Sequence, residues 1–389
     1  SSTMFDKYND GIQRVARIAD LSSLIDARPQ DKIFRLNRSV FTDPDIFEEE
    51  MEQVFGHTWI YVCHASQVPA HGDYVTTTIG RTPVFVVRRK DGTTAGFINS
   101  CSHRGTLLLS RHSGNARTMT CRYHGWAYNT EGECVVMRGA HEGYAPDALA
   151  RMGSSLKPIP RFAEYKGFLF GCLDPNVENL DDFLAPVTPF MDLLADQSPE
   201  GMEILKGDSC YVMQANWKLQ SENTNDGYHV ASLHRNFANT MRFRETLAGV
   251  TDDLGKTEAS RILSLEKIGS GTYDLGNGHM VNWSQRGAPA TMPLFEARER
   301  VLKEFPGGKG SWMINRGQTI TVFPNLLLND VASTDIRVWR PIDVDRTEID
   351  TWCLAPKGES AAARRARIRK FEDFFLSGSI AVPDDVRAM

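Results

Sequence analysis

Two short segments constrain this fold more than anything else in the chain: Cys101-Ser102-His103-Arg104-Gly105 and Cys121-Arg122-Tyr123-His124-Gly125-Trp126. Each offers one thiol and one imidazole and then a glycine, and 17 residues separate His103 from Cys121. The glycines let the backbone turn tightly and aim amide groups at a negatively charged partner. Four such donors act together only if the fold brings two separate loops face to face. The flanking sequence suits that arrangement. Residues 74–79, 84–89 and 95–98 are β-rich, with Asp91-Gly92 as a hairpin turn between the last two. Short strands between turn residues continue past Phe168-Leu169-Phe170 to about Asp174. A small all-β domain over residues 57–180 is expected.

Two metal readings compete for these donors. One is a Cys2His2 zinc site, which usually places both cysteines before both histidines. The other is a Rieske [2Fe–2S] centre, in which two histidines hold one iron and two cysteines the other. The order here is Cys, His, Cys, His on two β-loops, which favours the Rieske arrangement. His112, between the halves, fits neither pair and reads as a surface histidine. The seven cysteines are an odd number in a 389-residue chain, not a disulfide framework. They suit a reducing cytoplasm, with two bound to metal and the rest as buried thiols.

A second cluster lies in residues 216–234, which read NWKLQSENTNDGYHVASLH. His229 and His234 follow Glu222 and Asp226. On a helix, Asp226 and His229 are neighbours on one face. His229 and His234 are about 140° apart, so both reach one metal only if the helix is distorted or ends between them. The zinc-protease spacing does not fit. Two imidazoles and a distant carboxylate, with coordination positions left open, is the non-haem Fe(II) pattern. Read alone, the stretch is equally a core helix with two satisfied histidines.

The remaining chain supplies scaffold. Residues 1–56 read as an N-terminal helical segment packing on the domain that follows residue 180. Thr42-Asp43-Pro44 starts a helix carrying Phe47, Met51, Val54 and Phe55 and stopping at Gly56. Residues 181–389 are expected to form a further domain, the one that carries the His229/His234 cluster. Strands are expected at 202–213, 318–323, 335–340 and 348–354. Loops are expected at 269–278 and 307–310, either as lids or as plain surface. A helix is expected over 359–375, with Arg364, Arg365, Arg367, Arg369 and Lys370 as a solvated face. The net charge of −5 argues against non-specific nucleic-acid binding. No apolar run is long enough for a membrane span.

Together the two clusters resemble the large (α) subunits of Rieske non-haem iron aromatic-ring dioxygenases, specifically the benzoate, toluate and anthranilate group. The resemblance runs from about Ile33 to Asp385. It rests on Cys101/His103/Cys121/His124 followed by Asn216-Trp217-Lys218, Glu222-Asn223 and Asp226-Gly227-Tyr228-His229. Phe41-Thr42-Asp43-Pro44, Asp196-Gln197-Ser198-Pro199 and Lys357-Gly358-Glu359-Ser360 look like the aromatic-carboxylate group in particular. The resemblance implies an α+β protein: an all-β Rieske domain plus a catalytic domain with a long antiparallel sheet flanked by helices, of helix-grip type. Cys101, His103, Cys121 and His124 would hold the cluster. His229, His234 and Asp385 would hold the mononuclear iron, with Asp384 as the alternative carboxylate. Asp226 would bridge His229 to His124 of a neighbouring subunit.

The implied enzyme is an NADH-dependent, cytoplasmic dioxygenase component. It would use O2 on an aromatic carboxylate, giving a cis-dihydrodiol or, where an ortho group leaves, a catechol. Its partners would be a small β subunit in an α3β3 assembly and a flavin/iron–sulfur reductase, with or without a separate ferredoxin. A Rieske monooxygenase or demethylase shares both metal sites, and a bare Rieske electron carrier would explain only the first. For substrate contacts, Asn223 and residues 323–330 are candidates. Arg242 and Arg244 lie close enough in sequence to His234 to be weighed as carboxylate ligands, although surface arginines are commoner.

Overall fold

In a computed structural model, residues 21–143, 145, 153–249 and 269–389 are described. The largest sheet has seven antiparallel strands. In spatial order they are Met202–Met213, Arg346–Pro356, Thr334–Asp343, Leu326–Asp330, Arg316–Val322, His279–Gln285 and Ser270–Gly276. Period-2 alternation divides its side chains. Leu326, Leu328, Ile336, Val338 and Leu354 face a buried apolar core with helices Leu180–Leu184 and Thr188–Ala195. Leu327, Asn329, Asp335, Arg337 and Thr351 point the other way, as cross-strand register and alternation require.

The metal-loop region carries three smaller sheets. Strands Asp73–Ile79, Thr82–Arg88, Thr94–Ile98 and Ser113–Asn115 form one, and Thr118–Thr120, Ala127–Asn129 and Cys134–Val136 another. The third joins Ile60–His64 to the hairpin Arg161–Tyr165/Phe168–Cys172. It serves two cores. Tyr61, Phe168 and Phe170 pack with the seven-stranded sheet, while Ile60, Val62 and Leu169 pack with Val84, Val86 and the helix residues Phe47, Met51 and Phe55. That second core also takes in Met213, Trp217 and Trp339, so the N-terminal helix is wedged against both halves.

Several expectations need correction. Residues 25–36 are a β-hairpin, Ile25–Arg28 with Ile33–Leu36, rather than helical. Residues 1–20 lie outside the described residues. The helix start at Asp43-Pro44 is as expected, Asp43 capping Pro44–Glu49 by accepting from the Asp45 amide, but the helix gives way to one wider turn, Glu50–Val54, before Gly56. Residues 270–285 are a hairpin whose turn, Asn277-Gly278, has φ of 52° and 77°. Gly307 and Gly308 open the helix Gly308–Asn315. The helix Ala361–Phe374 does not present all its arginines to water. Arg367 is 2 % exposed, pairs with Glu359 at 3.0 Å and donates to Thr334.

Candidate active site

The two Cys/His loops are the same turn made twice. In one, Gly105 N donates to Cys101 O at 2.8 Å and Cys101 N to Thr106 O at 2.8 Å. In the other, Gly125 N donates to Cys121 O at 3.0 Å and Cys121 N to Trp126 O at 2.7 Å. Gly105 and Gly125 have φ of 73° and 72°, a left-handed conformation that explains the glycine after each pair. Both cysteines are buried, and the His103 and His124 rings meet at 4.6 Å. His103 stacks on Trp126 at 4.8 Å, and its buried Nδ1 has no partner. An orphaned ring nitrogen beside two buried thiols fits a metal cluster, since burying an unsatisfied polar atom is otherwise costly. Tyr128 ties the loops together: its hydroxyl accepts from Ser102 N at 3.1 Å and lies 3.2 Å from Cys101 Sγ. Sequence reasoning missed this tyrosine.

Helix Trp217–Asn225 starts at Asn216, whose side chain accepts from Lys218 N and donates to Val344 O at 2.8 Å. Glu50 anchors the same first turn, accepting from Trp217 Nε1 at 2.9 Å and Lys218 Nζ at 2.6 Å. The helix ends at Asp226, which is extended, so Asp226 and His229 are not helix neighbours as expected. A turn brings them together instead, with Oδ2 to Nδ1 at 3.3 Å. His229 and His234 then flank the four-residue helix Val230–Leu233, and at His234 the chain leaves helical geometry before Arg235–Leu247 begins. This break satisfies the spacing argument. The two rings lie 5.2 Å apart.

Asp385, near the start of helix Val382–Ala388, completes the group. Its Oδ1 is 3.1 Å from His234 Nε2 and 3.7 Å from His229 Nε2. One ligand atom from each of the three residues lies within 4.8 Å of the others, a set suited to one metal ion; Asp384 is not part of it. Asn223 Nδ2 donates to Asp385 Oδ1 at 3.2 Å. The buried His234 Nδ1 lacks a partner. Two imidazole Nε2 atoms and one carboxylate oxygen fit a facial triad.

This triad lies in the wall of a cavity of about 720 Å³, a size usual for small-molecule sites. Asn223, Leu327, Asn329 and Phe374 contribute to its lining, which places part of the 323–330 segment at the cavity. Arg242 and Arg244 are not among its lining residues. Both are exposed on helix Arg235–Leu247, and Arg244 pairs with Asp373 at 2.7 Å. Two arginines do line the cavity, Arg286 and Arg337, and sequence reading passed over both because nothing near them in the chain points to the metal.

The family profile described as the Rieske [2Fe-2S] domain matches residues 58–153. The one described as the ring hydroxylating alpha subunit (catalytic domain) matches residues 202–388. The chain is 42% identical over 367 residues to toluate 1,2-dioxygenase subunit alpha of Pseudomonas putida, covering 94% of this chain and 80% of that protein. It is 38% identical to the 2-halobenzoate 1,2-dioxygenase large subunit of Burkholderia cepacia, covering 94% and 78%. Its fold is similar to a crystal structure of naphthalene 1,2-dioxygenase from Rhodococcus sp. bound to indole, with a TM-score of 0.78 and 25% identity over 91% of this chain and 80% of the other. Among the described residues, no helix is long and apolar enough to cross a membrane.

Proposed function

Because the chain belongs to the Rieske ring-hydroxylating oxygenase α-subunit family, we propose that it is the oxygenase large subunit of a cytoplasmic, multicomponent aromatic-carboxylate dioxygenase. The observation that carries this reading is the convergence of His229, His234 and Asp385 in the wall of one cavity. Cys101, His103, Cys121 and His124 would hold the [2Fe–2S] cluster, and the His229/His234/Asp385 set the mononuclear iron. When bound, these groups supply single-electron delivery and O2 activation, the electrons coming from NADH through a separate reductase. An α3β3 assembly with a small β subunit is part of the same reading.

The chain's own residues hold the ligands in place. Asn223 fixes the Asp385 carboxylate by donating to Oδ1, leaving the other oxygen unconstrained by that bond. The Asp226 carboxylate lies 3.3 Å from His229 Nδ1, on the side of the ring away from the Nε2 that faces Asp385, and so helps to hold the ring's orientation. The Asp226 side chain is 47% exposed, so its carboxylate is also available to a neighbouring subunit. Leu327 and Phe374 give the cavity apolar surface for an aromatic ring.

The test is metal analysis followed by product analysis with reductase, NADH and benzoate. About three irons and two labile sulfides per chain, and a benzoate cis-diol, are expected. Zinc without sulfide would overturn the oxygenase reading. A metal-complete enzyme that oxidised naphthalene but no aromatic acid would overturn the carboxylate assignment.

A further inference from the structure

Arg337 sits on the inner strand Thr334–Asp343, opposite Leu327 on one side and Thr351 on the other. It lines the same cavity as His229, His234 and Asp385 and is only 6% exposed. Its Nε has no hydrogen-bond partner, and among the described residues its guanidinium forms no ion pair. Other buried arginines differ. Arg286 donates to Val331 O and Asp330 O at 2.8 and 2.6 Å, and Arg367 is paired with Glu359. A buried guanidinium without an anion is strongly disfavoured unless a ligand provides one.

We propose that Arg337 receives the carboxylate of an aromatic-acid substrate. The planar guanidinium matches a carboxylate fork, and the apolar wall around it suits the ring. Thr351, its cross-strand neighbour, also has a buried hydroxyl without a partner. Asp335, two residues away on the same face, does not neutralise the arginine: it makes no ion pair, and burial pushes its carboxyl up to about 8. Burial pushes the Tyr211 hydroxyl up, and Arg337 and Asp385 act on it in opposite directions.

The inference rests on the aromatic-carboxylate reading above. Its test is calorimetric binding of benzoate and of the isosteric neutral benzamide to the anaerobic holoenzyme, in wild type, Arg337→Met and Arg337→Lys, each checked for iron content. The wild type should prefer benzoate. Arg337→Met should weaken benzoate roughly 10–150-fold, the range for losing a hydrogen bond to a charged group, and leave benzamide within about threefold. Arg337→Lys, which keeps the charge and the fold, should fall between. Wild type that preferred benzamide would remove the carboxylate reading and this proposal together. Wild type that preferred benzoate, with the preference intact in Arg337→Met or with both ligands equally weakened, would overturn the role of Arg337 alone. Should Arg337→Met not fold, the same benzoate-to-benzamide ratio read in Arg337→Lys decides, an unchanged ratio overturning the proposal.

Discussion

Asp226 divides its two oxygens. Oδ1 accepts from the Tyr228 amide at 2.7 Å and so fixes the turn after the helix, while Oδ2 faces His229 Nδ1. An amide at this position preserves the shape but removes the negative charge. Asp226→Asn should therefore keep iron and sulfide at wild-type content and lose turnover about 100-fold. Wild-type turnover in that variant would remove the aspartate from any bridge between His229 and a neighbouring subunit. The cluster and triad histidines were readable because their partners stand close by in the chain or belong to a patterned motif. Tyr128 and Arg337 were not, because each gains its meaning only through strand pairing. For Arg242 and Arg244 the commoner reading, surface arginines, is the one the structure shows: closeness in sequence to His234 says nothing about a helix face that turns to solvent.

At the scale of elements, the break at His234 was legible, since five-residue spacing permits a shared metal only on an interrupted helix. The hairpin over residues 270–285 was not. Its glycines resemble a loop, and only pairing with Arg316–Val322 draws it into the sheet. The helix Ala361–Phe374 misled in another way, because five cations in seven positions suggest a solvated face. Arg367 instead lies beneath it, donating to Glu359 through Nε and Nη2. Arg367→Met should lower stability by about 3 kcal/mol, since it leaves a buried carboxylate with Arg364 as its remaining partner. Thermal unfolding checks this. A Tm equal to wild type would mean that Glu359 escapes to water.

For the molecule as a whole, Asp335 makes stability depend on pH. Burial raises its carboxyl to about 8, against 3.8 for the ordinary group, and Arg337 only partly opposes this. The folded state therefore holds a proton that the unfolded chain releases above pH 4. Stability from this group is complete below pH 4 and is lost as pH rises toward 8. Asp335→Asn should match wild type near pH 4, gain Tm over it as pH rises, and hold a constant advantage above 8. A variant less stable than wild type at pH 7 would mean that Asp335 is ionised and paired.

The sheet built from Ile60–His64 and Arg161–Cys172 serves two cores at once, one face toward each. A protein engineer who excised the iron–sulfur module at its sequence limits would carry away Tyr61, Phe168 and Phe170 as a greasy, unclothed surface. Such a fragment should clump, and a hybrid of two relatives spliced there should inherit mismatched side chains along the seam. Modules of this design are exchanged safely only if the mating face travels with them.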